Sequence, residues 1–122
     1  MKVIYIAGPY RAASEYQVKK NIDAAEEAAL FVWANGGVAL CPHKNTAFFG
    51  GACNIPDETW LEGDIELLKR CDAVYALSSW RKSNGATDEI HLANELGMPV
   101  FEQGMIDQRK LMQFLKESSD ES

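Results

Sequence analysis

The sequence predicts an α/β fold, a single-domain, Rossmann-like three-layer sandwich with a four- to five-stranded parallel sheet. Short apolar, β-branched runs recur at 2–8, 38–43, 72–78 and 99–102. Segments with helical spacing of apolar residues separate them. Strands that alternate with helices imply right-handed crossovers, and these build a parallel sheet covered on both faces.

The elements follow in chain order. "KVIYIAG" (2–8) is a buried strand stopped by Gly8-Pro9. "SEYQVKKNIDAAEEAALFVWANGG" (14–37) is the clearest helix. Ser14 and Gln17 match a capping box, Val18, Ile22, Ala25, Ala29 and Val32 recur at helical spacing, and Asn35-Gly36-Gly37 is a stop. "VALCPH" (38–43) is a second strand cut by Pro42. The stretch 44–56 has no clean period and reads as a lid-like loop, although a further short strand could hide at Val38 or within it. Asp57 can cap a helix over 58–70 whose apolar residues are Trp60, Leu61, Ile65, Leu67 and Leu68. "DAVYALS" (72–78) is a third strand. A polar loop leads to a helix over about 86–96, with Asp88 and Glu89 in its first turn. "PVFE" (99–102) is a fourth strand, and a last helix covers about 106–117. Residues 1–117 are expected to form one domain, and 118–122, "SSDES", a solvated tail.

Composition narrows the function. The 122 residues are 47% hydrophobic and 25% charged, ordinary for a globular domain. A net charge of −6 argues against a nucleic-acid polymer as partner. No apolar run approaches the ~20 residues of a membrane span. The N-terminus is too short and strand-like for a signal peptide, so the expectation is a cytoplasmic protein with no membrane partner. Cys41, Cys53 and Cys71 are odd in number and widely spaced, against a disulfide framework or zinc site. Cys41 and Cys71 adjoin strands and are expected to be buried thiols.

In open parallel sheets, ligands bind beyond the carboxyl ends of the strands. The segments at that edge are "GPYRAAS", "PHKNTAFF", "SSWRKSNGATDE" and "EQGM". They contain no GxGxxG, GxxxxGK[ST] or GxSxG. His43 and His91 are the only histidines and lie in no metal-ligand spacing, so neither metal nor cofactor is expected. Carboxylates, tyrosines, an arginine and hydroxyls remain. That set suits chemistry at an anomeric carbon, where one carboxylate attacks and another acid helps the leaving group depart.

The stretches "IYIAGPYR" (4–11), "GDIELLKRCDAVYAL" (63–77), "SNGATDEIHLA" (83–93) and "GMPV" (97–100) resemble the nucleoside 2-deoxyribosyltransferase-like superfamily. Within it, the pattern is similar to the 2'-deoxynucleoside 5'-monophosphate N-glycosidases and their short bacterial and phage relatives. The resemblance implies a five-stranded parallel sheet and a homodimer or higher homo-oligomer in which a neighbour completes the site. It makes Glu89 the nucleophile that attacks C1', Asp64 the acid that assists departure of the base, and Tyr5 the group that holds the nucleophile. It places Ser83 at the sugar or phosphate, Arg11 at a 5'-phosphate, and a nucleoside or nucleotide as the small-molecule partner. Gly8 and Gly85 fall in its two turns. The chain departs from the pattern in Pro9-Tyr10 and in Asp88, which would raise the pKa of Glu89 if both faced the pocket.

Each residue also has a plainer account. Glu89 could simply complement the helix dipole as a first-turn acid. Asp64 alone would be a surface helix residue. Asp72 opens a strand and suits a turn or cap. Tyr5 could be core, although a buried hydroxyl needs a partner and Glu89 is a natural one. Arg11 could be solvated. His43 could touch base or sugar, or make a structural hydrogen bond. Trp80, Phe48 and Phe49 could stack on a base or close the core, and His91 reads as structural. Two other functions fit the same pocket: a non-catalytic nucleotide-binding or sensor module, and a ribosyl hydrolase of another ribosylated metabolite.

Overall fold

The computed structural model describes the backbone of residues 1–120 and the side chains of residues 1–117. Strands β1 (Val3–Ala7), β2 (Val38–Leu40), β3 (Ala73–Ala76) and β4 (Val100–Glu102) form one parallel sheet in the order β2-β1-β3-β4. The helices are α1 (Glu15–Ala34), α2 (Pro42–Asn45), α3 (Asp57–Lys69), α4 (Asn84–Glu95) and α5 (Met105–Asp120).

Side-chain alternation along β1 and β3 divides the core into two layers. Ile4, Ile6, Ala73 and Tyr75 pack with Ala25, Ala29 and Val32 of α1 and with Leu111 and Leu115 of α5. Tyr5, Ala7, Val74 and Ala76 face the other way, onto Leu68 of α3 and Ile90 and Ala93 of α4. The result is the expected three-layer sandwich. From β1 the chain moves outward to β2, and from β3 outward to β4 on the opposite side. The order therefore reverses between β1 and β3, which opens a crevice at their carboxyl ends.

The boundaries follow local chemistry. The Gln17 N–H donates to Ser14 Oγ at 3.1 Å and starts α1. The Gln17 side chain donates to Asn21 and not back to Ser14, so only half of the capping box forms. β2 ends three residues early because Pro42 opens α2. Asp72 links helix to sheet, its Oδ2 accepting from the Val3 N–H at 2.7 Å. Cys71 is buried, whereas Cys41 is only half-buried and Cys53 is exposed.

Several expectations are corrected. Among the described residues the sheet has four strands, within the four- to five-stranded expectation but without the fifth that the resemblance implies. The stretch 44–56 supplies α2, turns and a 3-10 turn over Ala52–Asn54, because Phe48, Cys53 and Asn54 adopt positive φ, incompatible with a strand. Asp57 lies inside α3, and Pro56 takes the cap position without a side-chain cap. Leu61 points to solvent, and Leu68 is the one fully buried residue of α3. α4 starts two residues early, because Ser83 Oγ accepts from the Ala86 N–H at 3.1 Å. Asp88 and Glu89 thus sit in the second turn, past the free N–H groups of a helix start. α5 runs through residues 118–120, expected as tail, while 121–122 and the solvation of the tail's side chains lie outside what is described.

Gly8 ends β1 against β3. A Cβ there would fall 2.2 Å from Leu77 Cδ1 and 2.9 Å from Leu77 Cβ, and Leu77 is itself buried. Gly8→Ala is therefore expected to destabilise the fold by about 1–3 kcal/mol through overpacking. Thermal unfolding checks this, and an unchanged midpoint would remove packing as the reason for glycine.

Candidate active site

Tyr5 is the central residue of β1, fully buried and turned toward α3 and α4. Its hydroxyl donates a hydrogen bond to Glu89 Oε2. The phase of α4 brings Glu89 there: Ala86, Ile90 and Ala93 are its buried face, and Glu89 lies beside Ile90 on that face. Asp88 falls one position round the helix and is exposed. Glu89 is thus a half-buried carboxyl paired with a strand tyrosine, not a first-turn acid facing the dipole.

Burial dominates the electrostatics. It pushes the Glu89 carboxyl up to about 7, and the charges of Asp64 and then Asp88 add to this, while the Tyr5 hydrogen bond works in the opposite direction. Asp88 is the smallest of these influences, so a shared pocket with Asp88 is not the cause. Burial also pushes Asp64 up to about 6. The Tyr5 phenol is raised above its ordinary range by burial and then by Glu89, so it stays a hydrogen-bond donor.

Asp64 connects this pair to open space. Leu68 is the fully buried residue of α3, and the helix's other turns face the end of α2 across open space. A cleft of about 320 Å³ lies between them, lined by Asn45 and Thr46 on one side and Thr59, Trp60, Gly63, Asp64 and Leu67 on the other. Gly63 has nothing within 4 Å of a would-be Cβ, which keeps this wall low. Asp64 is half-buried in the wall, and its field reaches both Tyr5 and Glu89.

The other expected site residues have structural partners. His43 is buried, and its Nε2–H donates to the carbonyls of Pro9 at 2.8 Å and Gly8 at 3.1 Å. Burial lowers its pKa, so the ring is neutral and clamps the turn that leaves β1. That is the structural hydrogen bond of the two roles weighed for it. Arg11 pairs with Asp57 at 3.3 Å, with both side chains more than half exposed, and so ties the first turn to α3. An exposed pair of this kind is weak and leaves the guanidinium free to exchange partners. The Trp80 Nε1–H donates to Glu102 Oε1 at 2.6 Å, and the Arg81 guanidinium covers the ring at 4.3 Å. Trp80 therefore braces the β3–β4 edge. Ser83 spends its hydroxyl oxygen on the α4 cap, and Gly85 sits exposed in the first turn beyond it. Among the described residues, no cluster of three or more His, Cys, Asp and Glu is placed to hold a metal ion. No helix there is long and apolar enough to cross a membrane.

Sequence reasoning missed the cleft. It counted Trp60 among the apolar residues of the helix, placed Asn45 and Thr46 at the binding edge only as part of "PHKNTAFF", and did not single out Thr59. The one available signal was the i, i+4 spacing of Trp60 and Asp64, which sets both on one side of α3.

The doubly wound parallel sheet defines the fold class, and solved structures share that fold. One is a 2-deoxyribosyltransferase from the psychrotolerant bacterium Bacillus psychrosaccharolyticus, with 23% identity over 82% of this chain and 70% of that one, at a TM-score of 0.60. Another is a 2-desoxiribosyltransferase from Leishmania mexicana, with 20% identity over 84% of this chain and 63% of that one, at 0.60. A third is the CMP N-glycosidase BcmB of Clostridium botulinum, with 20% identity over 83% of this chain and 67% of that one, at 0.53. The chain has the fold of the nucleoside 2-deoxyribosyltransferase-like superfamily. No curated protein matches the sequence. Residues 2–102 match the family described as Domain of unknown function (DUF4406), and the chain belongs to that family.

Proposed function

We propose that this protein cleaves, or exchanges, the N-glycosidic bond of a nucleoside or nucleoside 5'-monophosphate with retention of configuration. The observation that carries the proposal is the buried Tyr5–Glu89 hydrogen bond with Asp64 beside it. The fold shared with deoxyribosyltransferases and a CMP N-glycosidase supports it. In the first step the Glu89 carboxylate attacks C1', and a C–O bond forms. The C1'–N bond breaks, its electron pair stays on the base, and Asp64 gives the base a proton. In the second step Asp64 takes a proton from water, or from an acceptor base, whose oxygen or nitrogen bonds to C1'; the C1'–O bond to Glu89 breaks and its electron pair returns to the carboxylate. Tyr5 aims the carboxylate through its hydroxyl. The site is completed by a second copy of the chain, as the resemblance implies. Arg11, freed from Asp57, is the candidate cation for a 5'-phosphate, with Ser83 and Gly85 at the sugar end.

The test is a chromatographic assay for free base. A panel of deoxy- and ribonucleosides and their 5'-monophosphates is incubated with wild type and with Glu89→Gln, with and without an acceptor base. Release confined to wild type is expected, and acceptor dependence separates transfer from hydrolysis. A folded protein that is silent across the panel but is thermally stabilised by an intact nucleotide would be a binding module instead.

A further inference from the structure

Trp60, in the wall of the cleft beside Asp64, carries a donor that the fold does not use. The Trp60 indole Nε1–H is closed off from solvent and has no acceptor among the described residues. A buried donor left in this state carries an uncompensated desolvation cost, which a ligand acceptor placed there would recover. Trp60 stands one helical turn before Asp64, and the two line the same cleft with Asn45, Thr46 and Thr59.

The loop between α2 and α3 reaches the indole through Phe49. The Phe49 ring stands edge-on to Trp60 at 5.9 Å and is itself 47% exposed. Around it, Phe48, Cys53 and Asn54 hold φ of 61°, 55° and 56°, values that residues with a side chain avoid. Gly50 and Gly51 follow Phe49 with open space about them. A strained backbone next to two glycines can change conformation at low cost. A hydrogen bond from the Phe48 N–H to the Tyr10 hydroxyl, at 2.8 Å, ties the loop down.

We propose that this cleft seats the heterocyclic base and that Trp60 selects bases presenting a hydrogen-bond acceptor, a ring nitrogen or an exocyclic carbonyl, once Phe49 swings off the indole. The inference rests on the proposed N-glycosidic chemistry, because the base must lie beside the acid that protonates it. Asn45, Thr46 and Thr59 supply further polar contacts around the ring. Phe49 then closes against the bound base, an arrangement in which aromatic rings attract.

Binding is measured by calorimetry in the Glu89→Gln background, so that nucleotides stay intact. The ligands are the nucleotide panel and analogues in which one ring nitrogen is replaced by C–H or one carbonyl is removed. Trp60→Phe keeps an aromatic ring and removes the donor. It is expected to weaken the preferred nucleotide about tenfold and to leave unchanged the analogue that lacks the recognised acceptor. That analogue should bind the Trp60 protein about as weakly as the natural nucleotide binds the Phe variant. The analogue arm needs no variant at this position, so equal affinity in it overturns the proposal even if Trp60→Phe fails to fold. Equal affinity for natural and analogue ligands throughout would overturn the selection by Trp60, as would the absence of any binding. Base release by wild type with no dependence on Trp60 would leave the role of Glu89 standing and remove this one. Acceptor-dependent binding without base release would do the reverse.

Discussion

Glu89→Gln is expected to lower base release about 10⁴-fold, the scale of losing a covalent nucleophile, and to raise the melting temperature at pH 8. The two effects have one origin. The folded chain holds the Glu89 proton up to about pH 7, against an ordinary value of 4.5. Between these values the folded state binds more protons than the unfolded state, so stability falls as pH rises through this window. Above pH 7 the full penalty applies, on the order of 3 kcal/mol for a shift of this size. Glutamine carries no charge and keeps an oxygen that can accept from the Tyr5 hydroxyl. The variant should therefore match wild type near pH 5 and melt roughly 5–10 °C higher at pH 8. Thermal scans at the two pH values check this. A difference that did not grow with pH would mean that burial of the charge is not what sets the cost. A carboxylate kept in an unfavourable place is what a nucleophile requires, and such sites commonly trade stability for activity.

The sheet and its order of elements were legible because β-branched runs and helical periods alternate without ambiguity. Tyr5 was legible in a stronger sense. A phenol in an apolar strand needs a partner, and the carboxylate on the helix after β3 was the natural candidate; the hydrogen bond to Glu89 is that partnership. The start of α4 was missed because Asn84 and Gly85 are poor helix formers, so the apolar period begins only at Ala86. The Ser83 cap pulls the helix back across them. That two-residue shift moves Glu89 out of the first turn and removes the plain dipole account.

Asp64 was legible only through the resemblance. Whether a mid-helix carboxyl faces water or the sheet depends on how α3 leans, and that is settled by its single deep anchor at Leu68. Trp60 was hidden for a related reason. An aromatic residue at helical spacing is usually core, and nothing local says that its N–H lacks an acceptor. The left-handed residues of the 46–54 loop carry no compositional mark, since Phe and Cys are poor hosts for positive φ.

The pH dependence of kcat/KM separates the roles of the two carboxyls. In the proposed mechanism, attack needs Glu89 ionised, and departure of the base needs Asp64 protonated. With Asp64 near 6 and Glu89 near 7, the reactive form is a minority species that peaks between these values. The profile is expected to be a bell centred between pH 6 and 7, and its two apparent pKa values belong to the pair. Asp64→Asn should cut kcat/KM by about 10²–10³-fold and abolish the alkaline limb. The remaining rise should report Glu89 alone and move to higher pH, because in wild type either carboxyl can lose the first proton. A substrate whose base leaves without protonation should lose far less. Tyr5→Phe should also carry the acidic limb to higher pH, because the Tyr5 hydroxyl lowers the Glu89 pKa. Loss of the acidic limb in Asp64→Asn would exchange the two roles and make Asp64, not Glu89, the group that must be ionised.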